Sequence, residues 1–347
     1  MKEFLTPMQR NNSNNPLRLA IPSDGEMYES TLAFLRECGL AVDRTNSRRY
    51  TASMHSVDGV LVLFQRAADI TAKVEDGSAD VGIVGLDRFA EAHLDDGLGF
   101  VVCDDLGYSQ CDLVAAVPEA WMDVTDMADV ADLAVEFRER GRDLRVATKY
   151  PRLTQRFFFS HGINFFTVVP SSGTLEAAPI MGFADLIVDI SATGTTLREN
   201  KLKVLADGTV LRSQACLIGN RTTLKRSAAK QELARRLIER MEAYLEARRF
   251  FRIAANVRGT SADHVARAVL EHQELAGLKG PTVSQVYTPE GDDWYAVTVV
   301  VPQSSLQAAV DHLRAIGGTG VSVLQPRYVF HEASQVYRKM LKTLSQD

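Results

Sequence analysis

The sequence has few cysteines, no excess of positive charge and no long hydrophobic run. The four cysteines (Cys38, Cys103, Cys111 and Cys216) lack the spacing of a zinc site and the density of a disulfide scaffold, so we expect reduced thiols. The net charge of -5 disfavours broad binding to nucleic acid, which needs a basic surface. Residues 1–15 are rich in Asn and have no apolar core. We therefore expect a disordered tail there, no membrane partner and a cytoplasmic protein.

Short apolar runs alternate with helix-like segments over the first two thirds of the chain. The predicted strands are 17–22, 60–65, 81–85, 100–103, 111–117, 144–148, 165–169, 186–190 and 210–218. The predicted helices are 26–38, 68–76, 124–140, 151–161 and 175–181. This rhythm is typical of parallel sheets, and it predicts two α/β lobes, like those of periplasmic binding proteins, around a ligand cleft. We assign residues 16–118 and 206–225 to the first lobe and 119–205 to the second.

The remaining chain follows a different plan. Residues 226–249 form a predicted connecting helix, with apolar side chains at helical spacing. From residue 250 to 330 the order of predicted elements is βαββαβ, which indicates a ferredoxin-like domain of the kind that senses small ligands. Residues 331–347 are predicted to end the chain in a helix.

The stretch from Asp185 to Leu197, DLIVDISATGTTL, joins a short apolar strand to a loop suited to phosphate. The loop is small, rich in hydroxyl groups and uncharged, so its backbone N–H groups and Thr side chains can donate to an anion. Asp189 can accept hydrogen bonds from two neighbouring ribose hydroxyls. A turn and a capped helix without a ligand is the alternative for the loop taken alone. The candidate residues for a phosphorylated ribose are Asp189, Ser191, Ala192, Thr193, Gly194, Thr195 and Thr196.

Several longer segments resemble one enzyme family. They are RAADI at 66–70, VEDGSADVGIVGLD at 74–87, RVATKYPRL at 145–153, SSGTLEAAPIMGFADLIVDI at 171–190 and LKGPTVS at 278–284. Together with the loop, they resemble the long form of the ATP phosphoribosyltransferases. The resemblance implies transfer of phosphoribosyl from phosphoribosyl pyrophosphate to N1 of the ATP adenine, with release of pyrophosphate. It also implies Mg²⁺ as cofactor, a hexamer, and inhibition by histidine through a C-terminal regulatory domain.

The resemblance suggests roles for further residues. Asp189 is the candidate catalytic residue, because it would hold the ribose during displacement at C1. The candidates for ATP and phosphate binding are Arg48, Arg49, Arg66, Asp87 and Lys149, with Arg152 and Arg156 as further cations that a solvated helix face explains equally well. Leu278 and Thr282, in the segment that resembles the regulatory domain, are the candidates for histidine. The sequence identifies no magnesium ligands.

One departure from the family pattern concerns charge. The first strand-to-helix turn reads Asp24-Gly25-Glu26 where the family usually has Lys-Gly-Arg, and Gln110 and Asp112 stand where Arg is common. Three explanations remain open: Arg48 or Arg49 replaces the lost cations, Asp24 and Glu26 recruit magnesium, or the ligands bind differently. A cytoplasmic ligand-binding sensor and a noncatalytic subunit of such a transferase are therefore alternatives to the enzyme.

Overall fold

The computed structural model describes residues 15–44, 46, 49–171, 173, 175–271, 278–288 and 291–346. It divides into two compact units. The larger comprises Met1–Arg36, Leu40–Ala234 and Lys339–Asp347, and the smaller comprises Glu37–Gly39 and Arg235–Arg338. In the described part of the chain, no helix has the length and apolarity needed to cross a membrane.

The larger unit contains two sheets and their helices. Its strands are β1 (Leu17–Pro22), β2 (Thr51–Ser53), β3 (Val60–Gln65), β4 (Val81–Gly85), β5 (Gly99–Cys103), β6 (Cys111–Pro118), β7 (Leu144–Thr148), β8 (Phe166–Pro170), β9 (Leu186–Ser191), β10 (Leu202–Ser213) and β11 (Ala215–Asn220). Its helices are α1 (Glu26–Glu37), α2 (Ala67–Glu75), α3 (Leu86–Ala92), α4 (Met127–Glu139), α5 (Pro151–Ser160), α6 (Thr195–Glu199), α7 (Arg221–Lys225) and the start of α8 (Ala228–Ala247).

Each sheet defines one lobe. The first has the strand order β2-β3-β1-β4-β11-β5 and the second has the order β10-β6-β9-β7-β8. Strands β1, β3 and β4 run parallel in the first sheet, as β7, β8 and β9 do in the second. Strand β4 is buried along its whole length, as its apolar sequence VGIVG requires. The prediction of two α/β lobes is confirmed.

The assignment of strands to lobes was wrong at two places. Strand β6 pairs with β9 and β10 in the second sheet, although the predicted boundary at residue 118 placed it in the first lobe. The single strand predicted at 210–218 is two strands, β10 and β11, which lie in different sheets on either side of Gln214. The second sheet therefore extends from Cys111 to Ser213. No local signal marks these changes, because they depend on pairing between distant segments.

The helix predicted at 175–181 is also shorter than expected. The structure has a 3-10 helix of three residues, Leu175–Ala177. Pro179 disfavours the α-helical conformation at Ala178 and cannot donate a backbone hydrogen bond, and Gly182 adopts a positive φ of 74°. The chain therefore turns instead of extending the helix.

The smaller unit contains the predicted ferredoxin-like fold. Its elements are β12 (Phe250–Arg258), α9 (Ala262–Leu270), β13 (Thr282–Thr288), β14 (Gly291–Pro302), α10 (Leu306–Ala315) and β15 (Thr319–Leu324), and the chain's last helix is α11 (Gln335–Ser345). The four strands form an antiparallel sheet in the order β13-β14-β12-β15. Apolar side chains from β12 and β14 pack with those of α9 and α10 in one core. The predicted βαββαβ plan is confirmed.

Candidate active site

The loop after β9 presents its hydroxyl groups to solvent. Ala192, Thr193, Thr195 and Thr196 are exposed, and Gly194, with φ of 72°, turns the chain into α6. The backbone N–H of Gly194 donates to Ser191 Oγ over 3.0 Å, and the Thr193 and Thr195 hydroxyl oxygens lie 3.0 Å apart. The side chain at Ser191 thus shapes the loop, while its Thr side chains remain accessible to an anion.

Asp189 is a buried carboxylate with few protein partners. Its exposed fraction is 5%, and within the described residues its only hydrogen bond comes from the N–H of Ile190, at 2.9 Å. Burial raises the pKa of Asp189, and the N–H of Ile190 and the positive charges of Lys149 and Arg88 offset this only in part. Because most of its lone pairs lack donors, the carboxylate is suited to accept hydrogen bonds from two hydroxyls of a ligand.

A second buried carboxylate connects the two lobes. Asp87, on α3 of the first lobe, is 6% exposed and accepts hydrogen bonds from the Tyr150 hydroxyl at 2.5 Å and the Ser213 hydroxyl at 2.7 Å. Tyr150 immediately precedes α5 of the second lobe, and Ser213 ends β10. The N–H of Asp87 also donates to Ser213 Oγ over 3.0 Å. Both Asp87 oxygens are therefore engaged by the protein, which makes this residue a bridge between lobes more than a free ligand for ATP.

Tyr150 is held in its protonated form at this bridge. Burial, followed by the charge of Asp87 and the hydrogen bond to it, raises the pKa of Tyr150. The guanidinium of Arg88 lies over the ring, 4.8 Å from its centroid, and its Nε is 3.9 Å from an Asp87 oxygen. Arg88 thus places a positive charge from the first lobe beside two carboxylates of the cleft, Asp87 and Asp189.

The predicted phosphate-binding cations are distributed unevenly. Arg66 is exposed and immediately follows β3, at the carboxyl edge of the parallel strands, and the charge of Lys149 opposes in part the rise that burial causes in the pKa of Asp189. Arg49 is exposed, and its carbonyl accepts from Arg44 Nε at 3.1 Å. Arg48 lies outside the described residues.

The two further arginines considered from the sequence differ in their contacts. The Arg152 guanidinium donates to the carbonyls of Glu91 and His93 at 2.8 and 2.7 Å, so it connects α5 to the end of α3 instead of facing the loop. Arg156 is exposed on α5. Backbone carbonyls therefore engage the Arg152 guanidinium, so a solvated helix face does not describe this residue.

The acidic turn also lies at the carboxyl edge of the first sheet. Asp24, Gly25 and Glu26 are exposed between β1 and α1, and Gly25 has a φ of 76°. Burial, and then the charges of Asp87, Asp112 and Glu26, raise the pKa of the Cys111 thiol to about 11, although its hydrogen bond with Ser213 opposes this. The negative charge of Glu26 is therefore close enough to affect Cys111, the first residue of β6. The described residues contain no cluster of three or more His, Cys, Asp or Glu that could hold a metal.

Several residues of the cleft were missed in the sequence. Tyr150, Ser213 and Arg88 form the bridge around Asp87, and Arg212 lines a neighbouring pocket. Arg212 and Ser213 lie within the strand predicted at 210–218, Tyr150 lies within the family-like segment 145–153, and Arg88 follows the segment 74–87, but none was singled out for a role. Their proximity depends on the pairing of the two lobes, so no local pattern could have shown it.

The two residues predicted to bind histidine lie together in the smaller unit. Leu278 and Thr282 line a pocket of about 650 Å³. The pocket also contains charged side chains of both signs, including Lys279, Glu332 and Arg338. Such a lining can pair with both the amino and the carboxylate group of a free amino acid.

Comparison with known proteins identifies relatives over nearly the whole chain. A family model described as ATP phosphoribosyltransferase matches residues 66–243, and one described as the HisG C-terminal domain matches 247–325. ATP phosphoribosyltransferase 2, chloroplastic, of Arabidopsis thaliana is 37% identical over 94% of this chain and 80% of its own length. The ATP phosphoribosyltransferase of Bradyrhizobium sp. is 35% identical over 94% of this chain and 98% of its own. That of Brucella melitensis biotype 2 is 47% identical over 63% of this chain and 96% of its own.

These matches span the part of the chain that contains the candidate site. The first family model covers α3 with Asp87, the loop after β9 and the strand that carries Ser213. Relatives that align with almost the whole chain carry the enzyme's name, which favours the transferase over a sensor or a noncatalytic subunit. The chain therefore belongs to the ATP phosphoribosyltransferase family, whose members transfer phosphoribosyl to ATP in the first step of histidine biosynthesis.

Proposed function

We propose that the loop from Ser191 to Thr196 binds the 5-phosphate of phosphoribosyl pyrophosphate while Asp189 holds the ribose hydroxyls. The observation that carries this assignment is the buried Asp189 carboxylate, which accepts one hydrogen bond from the described part of the chain and lies at the start of an exposed loop rich in hydroxyl groups. A sugar with two neighbouring hydroxyls would supply the missing donors, and the loop would take the phosphate on the same ligand.

The reaction asks the protein for positioning and for stabilisation of charge. The bond from ribose C1 to the pyrophosphate oxygen breaks, the bond from adenine N1 to C1 forms, and positive charge develops on the sugar. Asp189, next to the hydroxyls of that sugar, would stabilise this charge, and Lys149 and Arg88 would balance the phosphates. No residue needs to form a covalent intermediate in this scheme.

Changing the loop hydroxyls tests the assignment. We expect Thr193→Val and Thr196→Val to raise the KM for phosphoribosyl pyrophosphate by roughly 10- to 100-fold and to leave the KM for ATP nearly unchanged, because each removes a hydrogen bond to a charged phosphate. Steady-state kinetics with each substrate varied in turn measure both constants. Equal rises in both KM values would contradict the placement of the 5-phosphate.

Magnesium is the divalent cation that we propose for the reaction. Magnesium usually binds one or two carboxylates together with substrate phosphates and water, and it does not require a cage of protein ligands. This fits a cleft in which the exposed carboxylates of Asp24 and Glu26 lie at the carboxyl edge of the first sheet and the substrate supplies the phosphates. When bound, the ion would neutralise part of the pyrophosphate charge.

Regulation by histidine, a hexameric assembly and a cytoplasmic location are also proposals. The pocket at Leu278 and Thr282 supports histidine binding, since its lining combines apolar side chains with charges of both signs. We assign the regulatory function to residues 250–330 on this basis. The assembly and the location stay predictions from the family resemblance, and two plant relatives are named as chloroplastic.

A single hydroxyl provides a test of the histidine pocket. We expect Thr282→Ala to raise the histidine concentration for half-inhibition by about 3- to 10-fold, because one hydrogen bond to the ligand is lost. Ser284→Ala is the matched control, since Ser284 is exposed two residues further along β13 on the same face but does not line the pocket. Inhibition curves that shift equally in both variants would refute the location of the site.

A further inference from the structure

A second pocket adjoins the loop that follows β9. It has a volume of about 260 Å³ and lies where β6 begins and β10 ends. Ala192 of the loop forms part of its wall. Arg212 and Ser213, the last two residues of β10, line it from the other side. A ligand whose phosphate occupied the loop would therefore have this pocket beside it.

Arg212 brings a positive charge to this pocket without a fixed partner. Its side chain is exposed, and within the described residues it makes no hydrogen bond or ion pair. Asp112 is its cross-strand neighbour on β6, yet the two side chains do not form an ion pair within 4.0 Å in this part of the chain. By contrast, the exposed Arg142 and the half-buried Arg145 are bonded to Asp185 at the opposite end of β9. The guanidinium of Arg212 is thus available to a ligand.

The charges around the cleft indicate what that ligand is. The first turn supplies two carboxylates, Asp24 and Glu26, and Asp112 adds another beside the pocket. A departing pyrophosphate needs compensating positive charge, and a guanidinium can donate two parallel hydrogen bonds to phosphate oxygens. We propose that Arg212 binds the pyrophosphate group of phosphoribosyl pyrophosphate, in the role that the acidic turn cannot fill. This inference rests on the proposed function of the neighbouring loop.

The position of Arg212 also connects pyrophosphate binding to the bridge between the lobes. Its neighbour Ser213 lines the same pocket and donates to Asp87, which accepts in turn from Tyr150. Because Gln214 alone separates β10 from β11, Arg212 lies beside the point where the chain passes from the second sheet to the first. An anion on Arg212 would therefore contact the segment that both lobes share.

Two simple anions separate the role of Arg212 from that of the loop. Binding of inorganic pyrophosphate with magnesium, and of ribose 5-phosphate, is measured by calorimetry on the full-length protein and on Arg212→Ala, Arg212→Lys and Thr193→Val. We expect Arg212→Ala to weaken pyrophosphate by roughly 10- to 100-fold and to leave ribose 5-phosphate unchanged, because only the charge-assisted hydrogen bonds to pyrophosphate are lost. Arg212→Lys should retain part of the affinity, since lysine keeps the charge but not the paired donors.

The control is Arg36→Ala, which removes the same charge from an exposed position in the last turn of α1 and should bind both anions as the unmodified protein does. Unchanged pyrophosphate affinity in Arg212→Ala would overturn the proposal, and so would an equal loss for both anions. Thr193→Val tests the loop separately, because it should weaken ribose 5-phosphate alone. If the affinity of Thr193→Val for ribose 5-phosphate is unchanged, the loop assignment is wrong. The proposal for Arg212 is still decided by the affinity of Arg212→Ala for pyrophosphate.

Discussion

Replacing Asp189 with asparagine is expected to lower kcat/KM for phosphoribosyl pyrophosphate by about 100- to 1,000-fold, the size of effect seen when one preorganised charge-stabilising group is lost. The buried carboxylate would lose its charge next to the sugar and part of its capacity to accept from two hydroxyls. Steady-state kinetics of pyrophosphate release measure the effect. A loss below about tenfold would contradict the assignment of Asp189 to the ribose.

Asp185→Asn is the matched control for this substitution. Asp185 immediately precedes β9 and is also buried, but it is paired with Arg142 and Arg145 at 2.8 and 3.0 Å, and the backbone N–H of Arg145 donates to it as well. Its replacement should lower the thermal midpoint and change kcat/KM little at temperatures where the variant is folded. A large kinetic defect with Asp185→Asn would show that any change near β9 impairs the reaction.

The pH dependence of stability and of activity provides a second test of Asp189. Burial raises the pKa of this carboxyl in the folded protein, so the stability lost by ionising it appears as the pH rises from the ordinary Asp range through the raised value. Asp189→Asn should therefore increase the thermal midpoint at neutral pH, where the wild-type carboxylate is charged. It should also remove the fall in activity that protonation of Asp189 causes as the pH is lowered. A decreased midpoint at neutral pH would contradict this account.

The largest effect on stability is expected at Asp80. This residue is fully buried and accepts hydrogen bonds from Arg18 and from Lys230, whose Nζ lies 2.8 and 2.9 Å from the two carboxylate oxygens. Lys230 is itself 5% exposed. Asp80→Asn would leave its ammonium group without a counter-ion, which costs about 3–5 kcal/mol in the free energy of unfolding. Chemical denaturation monitored by fluorescence measures this loss.

The double variant Asp80→Asn/Lys230→Met tests the cause. It removes the unpaired buried charge, so it should recover most of the stability that Asp80→Asn loses. If both variants are equally unstable, packing around Asp80 explains the effect better than charge does.

The ionisation of Asp80 also makes the stability of the protein depend on pH. Burial alone would raise the pKa of Asp80, but the hydrogen bonds from Arg18 and Lys230 outweigh it and hold the pKa below its usual value. The stability that this pair contributes is therefore complete above the ordinary Asp range and is lost as the pH falls through the lowered value. The acid transition of Asp80→Asn should lack that contribution.

Local features of the fold were predictable where a short apolar run ends at turn residues. The bounds of β1, β3, β4 and β7 agree with the prediction, because each is a short run rich in apolar residues that follows a glycine, a proline or an acidic residue. Sheet membership was not predictable in the same way. The local sequence of β6, and that of β10 and β11 around Gln214, does not indicate which sheet each strand joins. Only the pairing of distant segments decides this.

The site residues also differ in how far they could be predicted from the sequence. Asp189 and its loop lie within eight residues of one another, and a strand followed by a loop rich in hydroxyl groups indicates their chemistry. The Asp87 bridge joins residues separated by 63 and 126 positions, so its formation depends on the way the lobes assemble. Asp87 was therefore named as a ligand candidate from the sequence, while the donors that engage it were missed.

The position of β11 has a consequence for synthesis of the protein. All five strands of the second sheet lie within residues 111–213, whereas the first sheet receives β11, between β4 and β5, only from residues 215–220. On the ribosome, the nascent second lobe can complete its sheet while the first still has a gap between β4 and β5. The lobe that is translated first is thus the last to close, and until then its open strand edges are exposed to chaperones and to aggregation.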